Sequence, residues 1–293
     1  MFYGSMVALV TPLLENGDLD LPTFCQLIDW HIENGTSGIV VSGSTGEGGT
    51  LTDAEKILLF RTAVKHARER IPIIAGTGTQ STAHAISLTR SAMAEGVDAC
   101  LVVTPAYIKP TQEGLYRHYA AIAQAVGIPI ILYNVPGRAA VDLLPETVAR
   151  LSTISNIVGI KEAADSLTRT AELIAACSGR INVYSGDDLT VLNCLANGGK
   201  GVISVTGNVV PKMMHDLVDA ALNNDLARAD EIQTQLMPLH RSMFVESNPI
   251  PVKYALARMK RISGGIRLPL TPLSESGQAV VQTELARLEL ISK

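Results

Sequence analysis

The stretch NIVGIKEAAD, residues 156–165, runs an apolar segment of Ile and Val directly into Lys161. Its apolar part is continuous and does not alternate with polar residues, which is typical of a strand buried on both faces of a parallel sheet. Seven other runs share this character: SMVALV (5–10), GIVVSG (38–43), IPIIAGT (71–77), ACLVVTP (99–105), IPIILYN (128–134), INVYSG (181–186) and GVISVT (201–206). The sequence therefore predicts eight buried strands.

Segments with helical periodicity separate these strands. In residues 52–70, Phe60 and Val64 belong to a one-sided apolar stripe, and Thr52 with Glu55 resembles a capping box at the start of a helix. The strands begin roughly 20 to 35 residues apart. Eight such repeats fit an α/β fold of the (β/α)8 TIM-barrel type better than an open doubly wound sheet.

The pattern changes after GVISVTGNVVP to one helical segment after another, over 211–222, 225–243, 249–260 and 275–290. No low-complexity linker separates these helices from the strand-rich part, so we expect them to pack against the barrel. The sequence predicts a (β/α)8 barrel catalytic domain over residues 1–224. It predicts a C-terminal helical domain, packed on the barrel, over residues 225–293.

Composition narrows the class of protein. The chain has 293 residues, 47% hydrophobic side chains and a formal net charge of −4, which does not suit a partner as negatively charged as nucleic acid. No apolar stretch is long enough to span a membrane, and the N-terminal residues lack a signal-like pattern. The four cysteines lie far apart without a C-x-x-C pair, as in proteins of a reducing compartment. We expect a cytoplasmic protein with no nucleic-acid or membrane partner.

Lys161 is the most informative residue, because catalytic groups of a TIM barrel come from the carboxyl ends of its strands. An ordinary lysine, with a pKa of about 10.4, is almost entirely protonated at pH 7, whereas burial that lowers the pKa to roughly 7 or 8 leaves a useful fraction of free amine. A neutral amine can attack a carbonyl and form an imine. The alternative is a lysine that reaches solvent from the strand end or pairs with Glu162.

Other strand ends carry further candidates. The glycine-rich SGSTGEGGT (42–50) can turn backbone N–H groups and the hydroxyls of Ser44 and Thr45 toward a small anion, or it can be an ordinary turn before a helix. LYNVPGRAA (132–140) offers Tyr133 for proton transfer and Arg138 for a carboxylate, although each residue alone is more often structural.

Two further stretches are more ambiguous. Tyr107, in TPAYIKP (104–110), is either a site residue or an interface anchor. For Asp187 and Asp188, in SGDDL (185–189), helix capping is favoured over a metal site or an acid and base pair. No stretch has the spacing of a metal or nicotinamide site, and we expect neither a metal nor a cofactor.

Three motifs, GSTGE (43–47), YNVPGR (133–138) and GIKEA (159–163), in that order and spacing, resemble the dihydrodipicolinate synthase family of pyruvate-dependent class I aldolases. The similarity extends over essentially the whole chain. The resemblance implies that Lys161 forms a Schiff base with pyruvate, whose carboxylate is held by Ser44 and Thr45. It also implies substrate binding by Ile203, in GVISVT.

The resemblance further implies a proton relay of Tyr133, Ser44 and Tyr107, with Tyr107 reaching in from a neighbouring subunit. Arg138 would bind the carboxylate of the second substrate, L-aspartate 4-semialdehyde. Members of the family are usually homotetramers of two tight dimers that use no metal or redox cofactor. The product would be 4-hydroxy-tetrahydrodipicolinate, an intermediate toward diaminopimelate and lysine.

The chain departs from the family pattern at three positions. Ser44 stands where many relatives have Thr, which keeps the hydroxyl. Feedback-inhibited relatives bind lysine at the dimer interface through a Glu and an aromatic residue at positions that match His84 and Ala106. Without that carboxylate and ring, we expect weak or absent inhibition by lysine.

Three rival functions remain at this stage. The nearest is a sugar-acid lyase of the same superfamily, such as N-acetylneuraminate lyase or a 2-keto-3-deoxy acid aldolase, which would keep Lys161 and Tyr133 but not need Arg138. A metal-dependent barrel enzyme is disfavoured by the missing clusters of histidine and carboxylate side chains. A non-catalytic barrel is disfavoured by the intact lysine and hydroxyl positions.

Overall fold

The computed structural model describes residues 2–291 and contains a closed barrel of eight parallel strands. Each strand pairs with the next one along the chain, and β8 pairs with β1. The strands are β1 (Gly4–Ala8), β2 (Gly38–Val41), β3 (Ile73–Gly76), β4 (Ala99–Val103), β5 (Ile130–Asn134), β6 (Ile157–Glu162), β7 (Asn182–Ser185) and β8 (Gly201–Ser204). The predicted (β/α)8 barrel is confirmed; seven strands lie within the runs that the sequence indicated, and β1 begins one residue before its run.

Helices follow the strands and cover the outside of the barrel. The structure has α1 (Leu21–Glu33), α2 (Asp53–Ala67), α3 (Thr82–Ala94), α4 (Gln112–Ala125), α5 (Pro136–Ala139), α6 (Pro145–Leu151), α7 (Arg169–Cys177), α8 (Val191–Ala196) and α9 (Pro211–Leu222). The predicted capping box of α2 is present, since the Thr52 hydroxyl accepts from the N–H of Glu55 and the Glu55 carboxylate accepts from the N–H of Thr52. This reciprocal bond fixes where α2 begins.

The barrel has two apolar layers. Residues that point outward from the strands, such as Val7 and Ile39, pack with the inner faces of the helices in the larger core. Residues that point inward, such as Met6, Ile74 and Ile131, form a second cluster that fills the barrel. The interior is therefore packed, and a ligand cavity is expected at the strand ends.

The register of the central strands sets the geometry of the strand ends. Tyr133 of β5 pairs with Lys161 of β6, which in turn pairs with Tyr184 of β7. These three residues consequently stand side by side at one level of the barrel, close to its carboxyl end.

Three more helices complete the chain: α10 (Leu226–Ser242), α11 (Ile250–Arg258) and α12 (Glu275–Arg287). They agree with the predicted C-terminal helices to within three residues at each end, and α10 packs against α8 and α9 of the barrel. The division into two domains after residue 224 stays a prediction. No helix within residues 2–291 is both long and apolar enough to cross a membrane.

Candidate active site

A cavity of about 220 Å³ opens at the carboxyl ends of the strands. Its walls come from the ends of several strands and the loops after them, as expected for a barrel enzyme. Five of the seven residues predicted for the site line this cavity: Ser44, Thr45, Tyr133, Arg138 and Lys161. The structure thus brings residues that are up to 117 positions apart (161 − 44) into one place.

Lys161 is buried, with 4% of its surface exposed, and its Nζ lies 4.5 Å from the centre of the Tyr133 ring. Burial lowers the pKa of Lys161 to about 8, and the positive charge of Arg138 acts in the same direction, whereas the negative charge of Asp188 opposes the shift. Among the described residues it makes no ion pair. An amine in this state is a competent nucleophile near neutral pH.

Glu162 does not hold the lysine, although it is the next residue. Its carboxylate accepts hydrogen bonds from Asn134 Nδ2, at 3.1 Å, and from the N–H of Ala164, at 2.6 Å. Burial raises the pKa of Glu162 to about 7 against the effect of these donors. The alternative in which Lys161 is a structural partner of Glu162 is therefore wrong.

The loop after β2 is shaped by glycine. The N–H of Gly48 donates to the carbonyl of Gly43 at 3.0 Å, and a β-carbon on residue 48 would stand 2.2 Å from the carbonyl oxygen of Ser42. Only glycine allows so close an approach of the backbone. The resulting turn places Ser44 and Thr45 on the cavity wall.

Asn248 joins two parts of the site that lie far apart in the sequence. Its Nδ2 donates to the Thr45 hydroxyl at 2.9 Å, and its carbonyl accepts from Arg138 Nη2 at 3.0 Å. It precedes α11 and also lines the cavity. Sequence reasoning did not find this residue, because no local pattern ties an asparagine before a helix to a loop some 200 positions earlier.

Tyr133 lies in the cavity with its ring almost fully buried. Burial raises the pKa of the phenol to about 12, and the charge of Arg138 and a hydrogen bond with Ser44 oppose this rise. A phenol that remains protonated at neutral pH can donate a proton to an oxygen that develops negative charge.

Two predicted site residues lie elsewhere in the chain. Tyr107 is 87% exposed in the loop after β4, with φ at 75°, and it does not line the cavity of its own chain. Ile203 is fully buried in the cluster inside the barrel, below the cavity wall formed by Val205. The roles predicted for both residues stay predictions.

The predicted helix capping by Asp187 or Asp188 is wrong. Thr190 precedes α8 without a side-chain cap, and Asp187 Oδ1 accepts from the N–H of Leu189 outside that helix, at 2.9 Å. Asp188 instead reaches across to the chain after β8, where its Oδ2 accepts from two backbone N–H groups. Tertiary contacts, and not local turn chemistry, decide the position of this carboxylate.

A buried ion pair connects the loop after β2 to the C-terminal helices. Glu47 contacts Lys253 of α11, and its Oε2 also accepts from the N–H of Arg267 at 3.2 Å. The side chains of Glu47 and Lys253 are 0% and 5% exposed. This contact fastens the C-terminal helices to the loop that carries Ser44 and Thr45.

A second cavity of about 430 Å³ adjoins the first and shares Ser44 and Tyr133 with it. Both positions discussed for lysine inhibition, His84 and Ala106, line this second cavity. His84 Nε2 is 2.6 Å from Asp53 Oδ2, so its ring is engaged by a carboxylate. Within residues 2–291, no three His, Cys, Asp or Glu side chains form a group that could hold a metal ion.

Comparisons with known proteins agree on one family. The model of the "Dihydrodipicolinate synthetase family" matches residues 1–288. A 4-hydroxy-tetrahydrodipicolinate synthase of Legionella pneumophila (strain Corby) is 54% identical over 291 residues, with 99% of this chain and 100% of the relative covered. The enzyme of that name from Nitrosomonas europaea is 56% identical over 282 residues, covering 96% and 97%.

A solved structure agrees as well. The chloride-inhibited dihydrodipicolinate synthase of Acinetobacter baumannii, complexed with pyruvate, superposes with a TM-score of 0.98 at 48% identity, covering 99% of this chain and 100% of the other.

Proposed function

The chain belongs to the dihydrodipicolinate synthetase family, and we propose that it condenses pyruvate with L-aspartate 4-semialdehyde through an imine on Lys161. It is a lyase of the aldolase type and synthesises 4-hydroxy-tetrahydrodipicolinate in the diaminopimelate and lysine pathway. The observation that carries the mechanism is a buried lysine amine with a lowered pKa, placed in one cavity with a hydroxyl-bearing loop and an arginine.

The reaction begins when the neutral Lys161 amine attacks the ketone carbon of pyruvate. Loss of water from the carbinolamine leaves a protonated imine, whose positive nitrogen withdraws electrons from the adjacent methyl group. Ser44 and Thr45 bind the pyruvate carboxylate and so hold the ketone over the amine. Loss of a methyl proton then gives the nucleophilic enamine.

The enamine carbon attacks the aldehyde carbon of the semialdehyde, and the aldehyde oxygen takes up a proton as the new carbon–carbon bond forms. Tyr133 supplies that proton, because it is a buried, protonated phenol beside Lys161. Arg138 binds the carboxylate of the semialdehyde at the mouth of the cavity. The amino group of the second substrate then displaces Lys161 and closes the ring.

Borohydride trapping tests the proposal. Reduction in the presence of pyruvate should leave a pyruvate-derived adduct on Lys161, identified by peptide mass spectrometry, and Lys161→Ala should abolish it. Lys253 is an internal control, since it is equally buried but paired with Glu47 and should stay unlabelled. No adduct on Lys161 of the native protein would sink the imine mechanism.

A sugar-acid lyase of the same superfamily is not favoured, because the full-length relatives are named as the synthase. Arg138 points the same way, since it offers a second carboxylate site at the cavity mouth. A coupled assay with pyruvate and the semialdehyde, run beside an assay of N-acetylneuraminate cleavage, separates the two activities.

We further propose a homotetramer of two tight dimers in which Tyr107 completes the proton relay of the neighbouring subunit. Tyr107 is highly exposed and does not line the cavity of its own chain, and both observations support this role. Mixed oligomers of Tyr107→Phe and Lys161→Ala should regain activity that neither variant has alone. A cytoplasmic location is supported by the four cysteines, which are all free thiols.

A further inference from the structure

Asp188 is a buried carboxylate just behind the cavity wall. It is 1% exposed, and its Oδ2 accepts from the N–H groups of Val205, at 3.0 Å, and Thr206, at 2.8 Å. Its Oδ1 has no hydrogen-bond partner among residues 2–291. Two backbone donors on one oxygen suit the ionised acid and hold it in place.

The chain segment that leads into Asp188 packs against the reactive lysine. Gly186, two residues before Asp188, approaches Lys161 so closely that a β-carbon on it would stand 3.0 Å from the lysine Cε. Gly186 and Val205 both line the cavity with Lys161. The negative charge of Asp188 raises the pKa of Lys161 and is the largest effect that opposes burial.

We propose that Asp188 is a positioning residue that supplies the electrostatic counter-charge for the protonated imine on Lys161. The inference rests on the proposed function, because it needs an imine at this lysine. An imine nitrogen must keep its proton to act as an electron sink, and burial disfavours that cation. A fixed carboxylate behind the nitrogen offsets this penalty without touching the reacting carbons.

The other charged and titratable groups near the lysine do not supply this charge. Arg138 is itself positive and lowers the pKa of Lys161. Glu162 is engaged by Asn134 and Ala164, and the Tyr184 hydroxyl donates to the Phe2 carbonyl at 2.9 Å. The phenol of Tyr133 has a raised pKa and stays neutral.

The groups around Asp188 leave its charge available. His240 Nδ1 is 2.8 Å from the Thr206 hydroxyl, and burial lowers the pKa of His240 although the charge of Asp188 opposes this shift, so burial favours the neutral imidazole beside the carboxylate. Asp187 lies on the cavity wall, where burial raises its pKa and the charges of Asp188 and Asp165 act in the same direction. Asp188 differs from Asp187 in accepting from two backbone N–H groups and in being 1% exposed.

Asp188→Asn tests the inference, because asparagine keeps an oxygen for the two N–H groups and removes only the charge. The ammonium form of Lys161 and the protonated imine carry the same charge, so Asp188 stabilises both equally. It therefore changes the equilibrium of imine formation only where the free lysine is a neutral amine. At pH 6, where the lysine is protonated, the apparent Kd for imine formation with pyruvate should be unchanged. At pH 9 it should rise about tenfold, since a nearby charge moves a pKa by about one unit or more.

Asp29→Asn is the matched control, because it removes one surface carboxylate, paired with His66 and Arg70 on the outside of the barrel, and should leave both Kd values unchanged. An equal loss of imine at pH 6 and pH 9 in Asp188→Asn would indicate a structural role and overturn the inference. An unchanged Kd at both pH values would overturn it as well.

A measurement on the native protein covers the case in which Asp188→Asn does not fold. The nitrogen-15 resonance of the pyruvate imine, in protein labelled at lysine, should show a protonated imine through pH 9. Loss of that proton below pH 8 would exclude a counter-charge. Absence of any imine in the native protein would refute the proposed function itself. That result differs from an imine that forms but loses its proton, which would refute only the role of Asp188.

Discussion

Replacing Glu47 by glutamine should destabilise the protein strongly. The change leaves the Lys253 ammonium without a counter-charge at a site where its side chain is only 5% exposed, and it weakens the acceptor for the N–H of Arg267. Removing one partner of a buried ion pair costs about 3 to 5 kcal/mol, because the remaining charge stays desolvated. We expect a loss of this size in the free energy of unfolding of Glu47→Gln at pH 7.

The penalty should depend on pH in a defined direction. Burial lowers the pKa of Lys253 in the folded protein, so the unfolded chain binds more protons and stability rises with pH. Without Glu47 the pKa of Lys253 falls further, and raising the pH toward 9 should recover part of the loss as the lysine releases its proton. The double variant Glu47→Leu, Lys253→Met removes both charges and should be nearly as stable as the native protein.

Urea denaturation followed by circular dichroism, at one protein concentration, measures these differences. Glu231→Gln serves as the control, because it breaks an exposed pair with Arg228 and should cost less than about 1 kcal/mol. Pyruvate KM should rise in Glu47→Gln more than kcat falls, since the loop that carries Thr45 loses its anchor. The reasoning fails if Glu47→Gln behaves like the control, or if the double variant is as unstable as the single one.

Three further results are expected. Arg138→Ala should leave borohydride trapping of pyruvate intact and lower kcat/KM for the semialdehyde roughly ten- to hundredfold, because a charge-assisted contact is lost. An unchanged kcat/KM would contradict the role assigned to Arg138. The rate of imine formation should rise about tenfold per pH unit and level off near pH 8, because burial lowers the pKa of Lys161 to about 8. A rate that levels off only near pH 10 would contradict this effect of burial. Added lysine should inhibit weakly or not at all, because position 84 of this cavity carries an imidazole instead of a carboxylate and position 106 carries a methyl group instead of an aromatic ring. Half-inhibition well below millimolar would contradict this expectation.

The strands and most helices could be predicted because their signals are local. A strand buried on both faces needs a continuous apolar run, and a capping box needs two residues three positions apart, so the eight strands and the start of α2 follow from short windows of sequence. The barrel then implies that all strand ends meet at one edge. That position makes Lys161, Tyr133 and Ser44 candidates for the site, and the family resemblance supplies the roles predicted for them.

The supporting contacts could not be predicted, because each one joins distant parts of the chain. Asp188 was expected to cap a neighbouring helix, yet its partners lie 17 and 18 positions later, after β8. Glu47 and Lys253 are 206 positions apart, and Thr45 and Asn248 are 203 apart. Neither contact leaves a periodic or local trace, and both depend on how α11 is placed over the barrel.

The two buried lysines show why position, and not burial, identifies the nucleophile. Lys161 and Lys253 are each 4% exposed, and burial lowers the pKa of both. Lys253 contacts the Glu47 carboxylate directly, and this charge favours the protonated form of its amine. Lys161 lies against an aromatic ring and lines the open cavity, and the negative charge of Asp188 acts on it without a direct ion pair among the described residues. A buried amine without an ion pair can lose its proton and attack a ketone. The negative charge of Asp188 can then stabilise the positive charge of the imine nitrogen, and the strand end is where the barrel brings these two features together.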